Sequence, residues 1–329
     1  MRRLWIVVCL TTAAFLVVPA TGWGRKHHKS HKHHKSHKQR HQTHVRRRRH
    51  RRHKPASHRH HGVARSTVPS GTSGSTGSGG GIQHVVWVLM ENKGYGEVIG
   101  SSQAPYINSL ANTYGVATDY LAVSHPSLPN YIALTSGSTQ GISDDSDPSS
   151  HPLNVPSIFS QLPGGQSRSL EQDMPTSCDQ GNSGSYAVRH DPEAYYTNLG
   201  SDCGNFDVPF GSSPDLSAKF TFITPNVCND MHDCGVSTGD SFLQNYVPQL
   251  MATPQYQAGH TAIFVVWDED DGSANNQVPL IVISPYTHGV KDGTAYTHYS
   301  LLKTTEQLLG LPQLANAASA TSMLGKFGF

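Results

Sequence analysis

Ser127 stands in "SHPSLPNYIALTSG" (residues 124–137), with His125 two residues before it and Asn130 three after. Pro129 suits the first turn of a helix and Gly137 suits its stop. The hydroxyl is therefore expected directly before a helix N-terminus, where unpaired backbone N–H groups and the helix dipole favour anions. A serine there either caps the helix or faces an anionic group as a nucleophile. Local spacing alone favours the cap, so other groups must decide.

Those groups are carboxylates at the ends of apolar runs. "HVVWVLM" (84–90) reads as a strand buried on both faces and ends in Glu91 and Asn92. "TAIFVVW" (261–267) is a second such run and ends in Asp268 and Glu269. Carboxylates facing one crevice repel unless a cation neutralises them. Oxygen ligands with one amide suit a divalent metal, whose identity the residues leave open. Solvated strand ends are the bland alternative; two such clusters favour the metal. A serine hydroxyl is a poor nucleophile near neutral pH, and coordination to a cation lowers its pKa. Ser127 then becomes a nucleophile for a phosphoryl group, and Asn130 an amide donor to its oxygens.

The elements that must position these residues alternate. "PYINSLANTYG" reads as a helix closed by Gly115, "FTFIT" (220–224) and "VPLIVIS" (278–284) as strands, and residues 239–251 as a helix bent or ended by Pro248. Residues 298–310 form an amphipathic pattern with Ser300 placed to cap it. This alternation predicts an α/β sandwich around a mostly parallel sheet, whose ligands bind beyond the carboxyl ends of the strands. Residues 141–217, rich in Gly, Ser, Asp and Pro, read as long loops or an insertion.

The chain has 329 residues and a net charge of +2 that hides a segregation. Eighteen of its 25 Lys and Arg, and none of its 23 acids, precede residue 82, so the remainder carries −16. Residues 1–24 resemble a secretory signal peptide, too short to favour a membrane span. Residues 25–65 are a His/Lys/Arg-rich tail with 13 histidines, expected to be disordered. The tail suits anionic cell-surface polymers, lipids or nucleic acid, or a plain solvated role with no specific partner. Residues 66–81 read as a Gly/Ser linker, and residues 82–329 as one folded catalytic domain. A secreted or cell-surface protein with no transmembrane span after signal cleavage is expected. Cys9 falls in the leader; the four remaining cysteines suit two disulfides. Three connectivities are open, and proximity favours Cys178–Cys203 with Cys228–Cys234. A metal site is the alternative, unsupported by any CxxC pair.

"HVVWVLMENKGYGEVIG", "HPSLPNYIALTSG", "YAVRHDPEAYY", "TPNVCNDMHDC", "WDEDDG" and "THYSLLKTTEQLLGL", in this order, resemble the bacterial and fungal phosphoesterases, which include secreted acid phosphatases and phospholipases C, within the alkaline phosphatase superfamily. The resemblance covers nearly all of residues 84–312. It implies a three-layer α/β/α sandwich and a divalent metal held by Glu91, Asn92, Ser127, Asp268 and Glu269. It implies that Ser127 is phosphorylated and then hydrolysed. His125, His190 and His298 would correspond to histidines that contact phosphate, protonate the leaving group or bind a second metal. Asp230 and His232 fall where two-metal relatives keep ligands, and the acids beside His232 also suit a general acid. "ENKGYG", with Lys93 after "EN", and the lack of extra C-terminal domains favour the compact acid phosphatase branch, including enzymes acting on phosphoinositides. The rivals are a phospholipase C-type phosphodiesterase and a non-catalytic protein that binds anionic polymers. A Ser-His-Asp hydrolase fits poorly, because "HPSLP" lacks the Gly-flanked nucleophile elbow.

Overall fold

The computed structural model describes residues 81–329. The expected signal peptide, basic tail and nearly all of the linker lie outside the described residues. Among the described residues ten strands occur: β1 His84–Met90, β2 Gly115–Ala117, β3 Tyr120–Leu121, β4 Ser167–Glu171, β5 Asp207–Pro209, β6 Phe220–Thr224, β7 Thr261–Trp267, β8 Leu280–Ile283, β9 Val290–Asp292 and β10 Tyr296–Thr297. Eight of them form one sheet in the order β5-β4-β6-β1-β7-β8-β2-β9, and β3 pairs with β10 in a small ribbon. The sheet is parallel except at β8, which runs antiparallel to both β7 and β2.

The long central strands form where continuous apolar sequence can be covered on both faces. Every residue of β7 is buried, and so is every residue of β1 after His84. Alternation along β1 sends successive side chains to opposite faces. Trp87 donates from Nε1 to Thr305 Oγ1 at 3.0 Å, on the helix α4 (His298–Leu309). Met90 points the other way, towards Gly239 in the helix α3 (Val236–Met251); a Cβ there would stand 2.9 Å from Met90 Cε and 2.5 Å from Met231 Cε. Helices thus cover both faces, giving the α/β/α sandwich. The helix α1 (Pro105–Thr113) joins α3, whose Asp240 accepts from the Ile107 amide at 2.8 Å. The helix α2 (Ser127–Ser136) packs beside α4.

Several boundaries differ from the sequence reading. The helix α2 begins at Ser127 itself, with Pro126 at the capping position. Gly137 does end it, at φ +75°, where a Cβ would stand 2.4 Å from the Leu314 carbonyl oxygen. The helix α1 stops at Thr113, and Gly115 opens β2 instead. Pro248 lies inside α3 near its end, where it costs one backbone bond without stopping the helix. Ser300 is the third residue of α4; Thr297 holds the cap, and its amide donates to Ser300 Oγ at 3.1 Å. The largest correction concerns residues 141–217, which supply β4 and β5 and so build one edge of the main sheet. Both cysteine pairs favoured by proximity form, Cys178–Cys203 and Cys228–Cys234. Among the described residues no helix is long and apolar enough to cross a membrane.

Candidate active site

Register places the two acidic strand ends together. Met90 pairs with Trp267 as parallel neighbours, and the Asp268 amide donates to the Met90 carbonyl at 3.0 Å. Glu91 and Asp268 therefore leave adjacent strands side by side, and both are fully buried. Asn92 turns the chain away at φ +51°, a left-handed conformation asparagine tolerates better than most residues. Its amide donates to Asp268 Oδ1 at 3.2 Å.

The helix α2 brings the serine to this pair. Ser127 does not cap the helix; its Oγ donates to Glu91 Oε2 at 3.1 Å. One turn further on, Tyr131 donates from its hydroxyl to Glu91 Oε1 at 2.5 Å. Positions i and i+4 share a helix face, so one face of α2 engages both oxygens of one carboxylate. The backbone amide of Leu128, at the helix N-terminus, donates to Asp145 Oδ1 at 2.9 Å.

Residues 188–190 form a short helical turn that supplies His190. The ring stacks on Tyr131, with centroids 5.3 Å apart and planes 6° from parallel. Its Nε2 lies 3.3 Å from Glu91 Oε1 and its Nδ1 lies 3.4 Å from Asp230 Oδ2. Asp230 and His232 come from the loop after β6, closed by the Cys228–Cys234 disulfide. Met231 between them sits at φ +86°, and the His232 amide donates to Asp230 Oδ1 at 2.7 Å. His232 Nε2 is 3.0 Å from Arg189 Nη2, and its Nδ1 is 2.7 Å from Asp233. Ligand atoms of Glu91, His190 and His232 lie within 4.8 Å of one another, a spacing open to a metal ion.

Not every expected ligand converges. Glu269 turns towards the rim, where its Oε2 lies 3.0 Å from His125 Nδ1 and accepts from Asn130 Nδ2 at 3.2 Å. The His125 side chain, 45% exposed, also approaches Asp270 Oδ1 at 3.3 Å. The Asn130 side chain ties down the preceding loop, accepting from the amides of Val123 and Ser124 and donating to the Ser124 and Pro126 carbonyls. His298 lies behind the site. Its Nε2 donates to the Asp268 carbonyl at 2.6 Å, so its Nδ1 accepts from the Tyr120 hydroxyl at 2.9 Å. Burial holds this ring neutral by lowering its pKa to about 4. The engaged nitrogens keep it out of the Asp230–His232 pair and make it a support for the strand end. Tyr131, Arg189 and Asp145 were not singled out from sequence. Tyr131 was legible as the i+4 partner of Ser127 on a helix face, and Arg189 as the cation beside His190; nothing local marked Asp145.

The electrostatics follow from crowding. Burial, then repulsion from Asp268 and Asp230, pushes the Glu91 carboxyl well above its ordinary range, against the Tyr131 hydrogen bond. Burial raises Asp230 and Asp268 to about 7. Burial and then Asp268 raise Glu269 to about 9. Burial, followed by Arg189 and His232, lowers His190 well below the usual imidazole value. Asp268 Oδ2 and Asp230 Oδ2 are buried with no hydrogen-bond partner. Crowded carboxylates with unused oxygens fit a divalent cation in place of the protons.

A pH dependence follows for the metal-free protein. A carboxyl raised above its unfolded value favours folding while protonated, an effect complete below about pH 4 and lost as pH rises through about 7. Chelator-treated protein should therefore lose stability over that window. An added divalent cation should restore most at the neutral end, because it takes the place of the protons. Thermal unfolding with and without chelator, from about pH 4.5 to about pH 7.5, measures this. A cation-induced shift equal at both ends, or larger in acid, would contradict it.

The fold is an alkaline phosphatase-like α/β sandwich with polar residues gathered beyond its strand ends. The profile of the Phosphoesterase family matches residues 216–312. A phosphatidylinositol-3-phosphatase from Mycobacterium tuberculosis is 32% identical over 279 residues, covering 81% of this chain and 86% of that protein. A phosphate-repressible acid phosphatase from Penicillium chrysogenum is 28% identical over 241 residues, covering 66% of this chain and 57% of its own length. The chain thus spans little more than half of that fungal relative. A solved protein of the alkaline phosphatase superfamily from Vibrio parahaemolyticus superposes with a TM-score of 0.50 at 11% identity, over 72% of this chain and 70% of that one, a likeness of fold alone. The chain belongs to the phosphoesterase family.

Proposed function

We propose that the protein is an exported, metal-dependent phosphomonoesterase that works through a phosphoserine at Ser127. The observation that carries this reading is the Ser127 Oγ donating at 3.1 Å to buried Glu91, at the first position of α2. The hydroxyl has an acceptor for its proton and stands at the positive end of a helix dipole. Glu91, Asn92 and Asp268 would hold the metal beside Ser127, with Glu269 at the rim. When bound, the ion would supply Lewis-acid stabilisation of phosphoryl charge.

This chain's own residues do the rest. Ser127 Oγ attacks phosphorus in line, and the bond to the ester oxygen breaks on the far side. Arg189, beside His232, offers a planar guanidinium to the phosphoryl oxygens. His125, at the exposed rim between Glu269 and Asp270, is placed to hand a proton to the leaving oxygen. Water then attacks phosphorus and gives a proton back to His125, the bond to Ser127 Oγ breaks as Ser127 regains the proton left on Glu91, and inorganic phosphate leaves. His190 and Tyr131 hold the Glu91 carboxylate, and His298 holds the Asp268 backbone.

The name of the Mycobacterium tuberculosis relative favours phosphoinositide monoesters as a substrate class. Export is favoured by the leader-like residues 1–24 and by two disulfides, which persist in oxidising compartments. The test is release of inorganic phosphate from a soluble monoester and from vesicles containing phosphatidylinositol 3-phosphate, with and without chelator. Phosphate release from both, lost with chelator and restored by a divalent cation, is expected. Release of diacylglycerol instead would move the reading to a phospholipase C, and full activity in chelator would remove the metal.

A further inference from the structure

A second group of acids lies at the β4–β5 edge of the sheet, with no part in the chemistry above. Glu171 ends β4. Asp207 opens β5 and stands opposite Ser169 of β4 in register, so it neighbours the face that Ser169 and Glu171 share. Asp191 and Glu193 arrive from the short helical turns at residues 188–195. All four are buried: Asp191 and Asp207 completely, Glu171 and Glu193 to within 1%.

Four buried carboxyls need partners, and few are present. The Tyr186 hydroxyl donates to Asp191 Oδ2 at 2.7 Å, and Thr224 Oγ1 donates to Glu171 Oε1 at 3.1 Å. Apart from the Ser169 hydroxyl beside Glu193, backbone amides beside Asp191 and a contact between Asp191 and Asp207 themselves, both oxygens of Asp207, both of Glu193 and Oδ1 of Asp191 have no hydrogen-bond partner. Among the described residues no Lys, Arg or His stands within salt-bridge distance of any of the four. One oxygen each from Glu171, Asp191 and Asp207 lie within 4.8 Å of one another. Oxygens on opposite sides of one calcium ion are about 5 Å apart, twice a bond of 2.3–2.6 Å. The cysteines near Asp207 are joined to each other and cannot ligate.

We infer that Glu171, Asp191 and Asp207, with Glu193 beside them, form a calcium site, separate from the catalytic centre, that fastens the turns at residues 188–195 to β4 and β5. The donors are all hard oxygens, with no nitrogen or sulfur, which selects against zinc and copper. Calcium accepts carboxylates in mono- or bidentate fashion and in flexible geometry; magnesium keeps several waters, which a buried dry site disfavours. Without the ion, burial holds Asp191 up to about 6 and the other three well above the carboxylate range. The site's consequence for catalysis is positional. Asp191 directly follows His190, and Thr224 Oγ1 lies 3.2 Å from the His190 carbonyl, so the ion would set the segment that delivers Arg189 and His190.

The test weakens the catalytic site so that binding here is read apart from it. In the Asp268→Asn background, calcium binding to EGTA-treated full-length protein is measured at neutral pH by equilibrium dialysis and by thermal unfolding. One calcium per chain is expected, with a midpoint rise of about 5–10 °C at roughly 100 times the dissociation constant. Adding Asp207→Asn, or Glu171→Gln should that protein not fold, is expected to abolish both. The acids instead share protons if Asp268→Asn protein binds no calcium, and that result alone overturns the site. Undiminished calcium binding by the folded double variant overturns it equally.

Discussion

Ser127→Ala should lower turnover on a phosphomonoester by at least about 10³-fold, about 4 kcal/mol of barrier, while leaving the protein folded. The change removes one hydroxyl, and the lost bond to Glu91 at 3.1 Å is worth on the order of 1 kcal/mol of stability. Tyr131 still holds the other Glu91 oxygen, so the carboxylate keeps its place. Substrate binding should survive, since Arg189 and the helix N-terminus remain, and the loss should fall on kcat rather than on KM. A serine that served only as a helix residue would show no such loss. Steady-state kinetics on the folded variant, with circular dichroism as the folding control, decide the matter; near wild-type turnover would take Ser127 out of the mechanism.

Asp268→Asn should produce opposite changes in activity and in metal-free stability. Asparagine preserves shape but removes the charge, so the affinity for the activating cation should fall by about 10²-fold or more, and activity with it. The same change removes one of several repelling buried carboxyls, each of which already favours its neutral form. In chelator at neutral pH the variant should therefore melt higher than the wild type, because no charge need be buried or protonated there. With the cation present the order should reverse. Unfolding curves under both conditions, beside a metal titration of activity, check both signs. A variant less stable than the wild type in chelator would mean that Asp268 is held by contacts other than metal.

The strands that position Glu91 and Asp268 were legible because they are buried on both faces. "HVVWVLM" and "TAIFVVW" have no reading as half-exposed elements, and their adjacent polar ends followed from the rule that sites lie beyond parallel strand ends. The edge strands were not legible. β4 is "SRSLE" and β5 is "DVP", short and polar, and they become strands through pairing with β6 and with each other rather than through composition. The buried acids Glu171 and Asp207 made that segment look more loop-like, since a buried carboxylate and a solvated one read alike in sequence. The helix start was read one residue late: Pro129 does fall in the first turn, but that turn begins at Ser127, with Pro126 at the capping position. Types and order placed Glu91, Asn92 and Asp268 after strand ends and Ser127 at a helix start, where the fold also has them. Orientation could not be read: Glu269 and Asn130 turn to the rim and to the loop, and His298 spends both ring nitrogens on Tyr120 and the Asp268 backbone.

The central claim is a covalent phosphoserine, and its most direct test is the stereochemistry at phosphorus. Each in-line displacement inverts the configuration, so two successive displacements, by Ser127 and then by water, restore it. Hydrolysis of a monoester made chiral at phosphorus with sulfur and oxygen isotopes should yield thiophosphate with overall retention. Overall inversion would mean a single direct attack by water and would contradict the account.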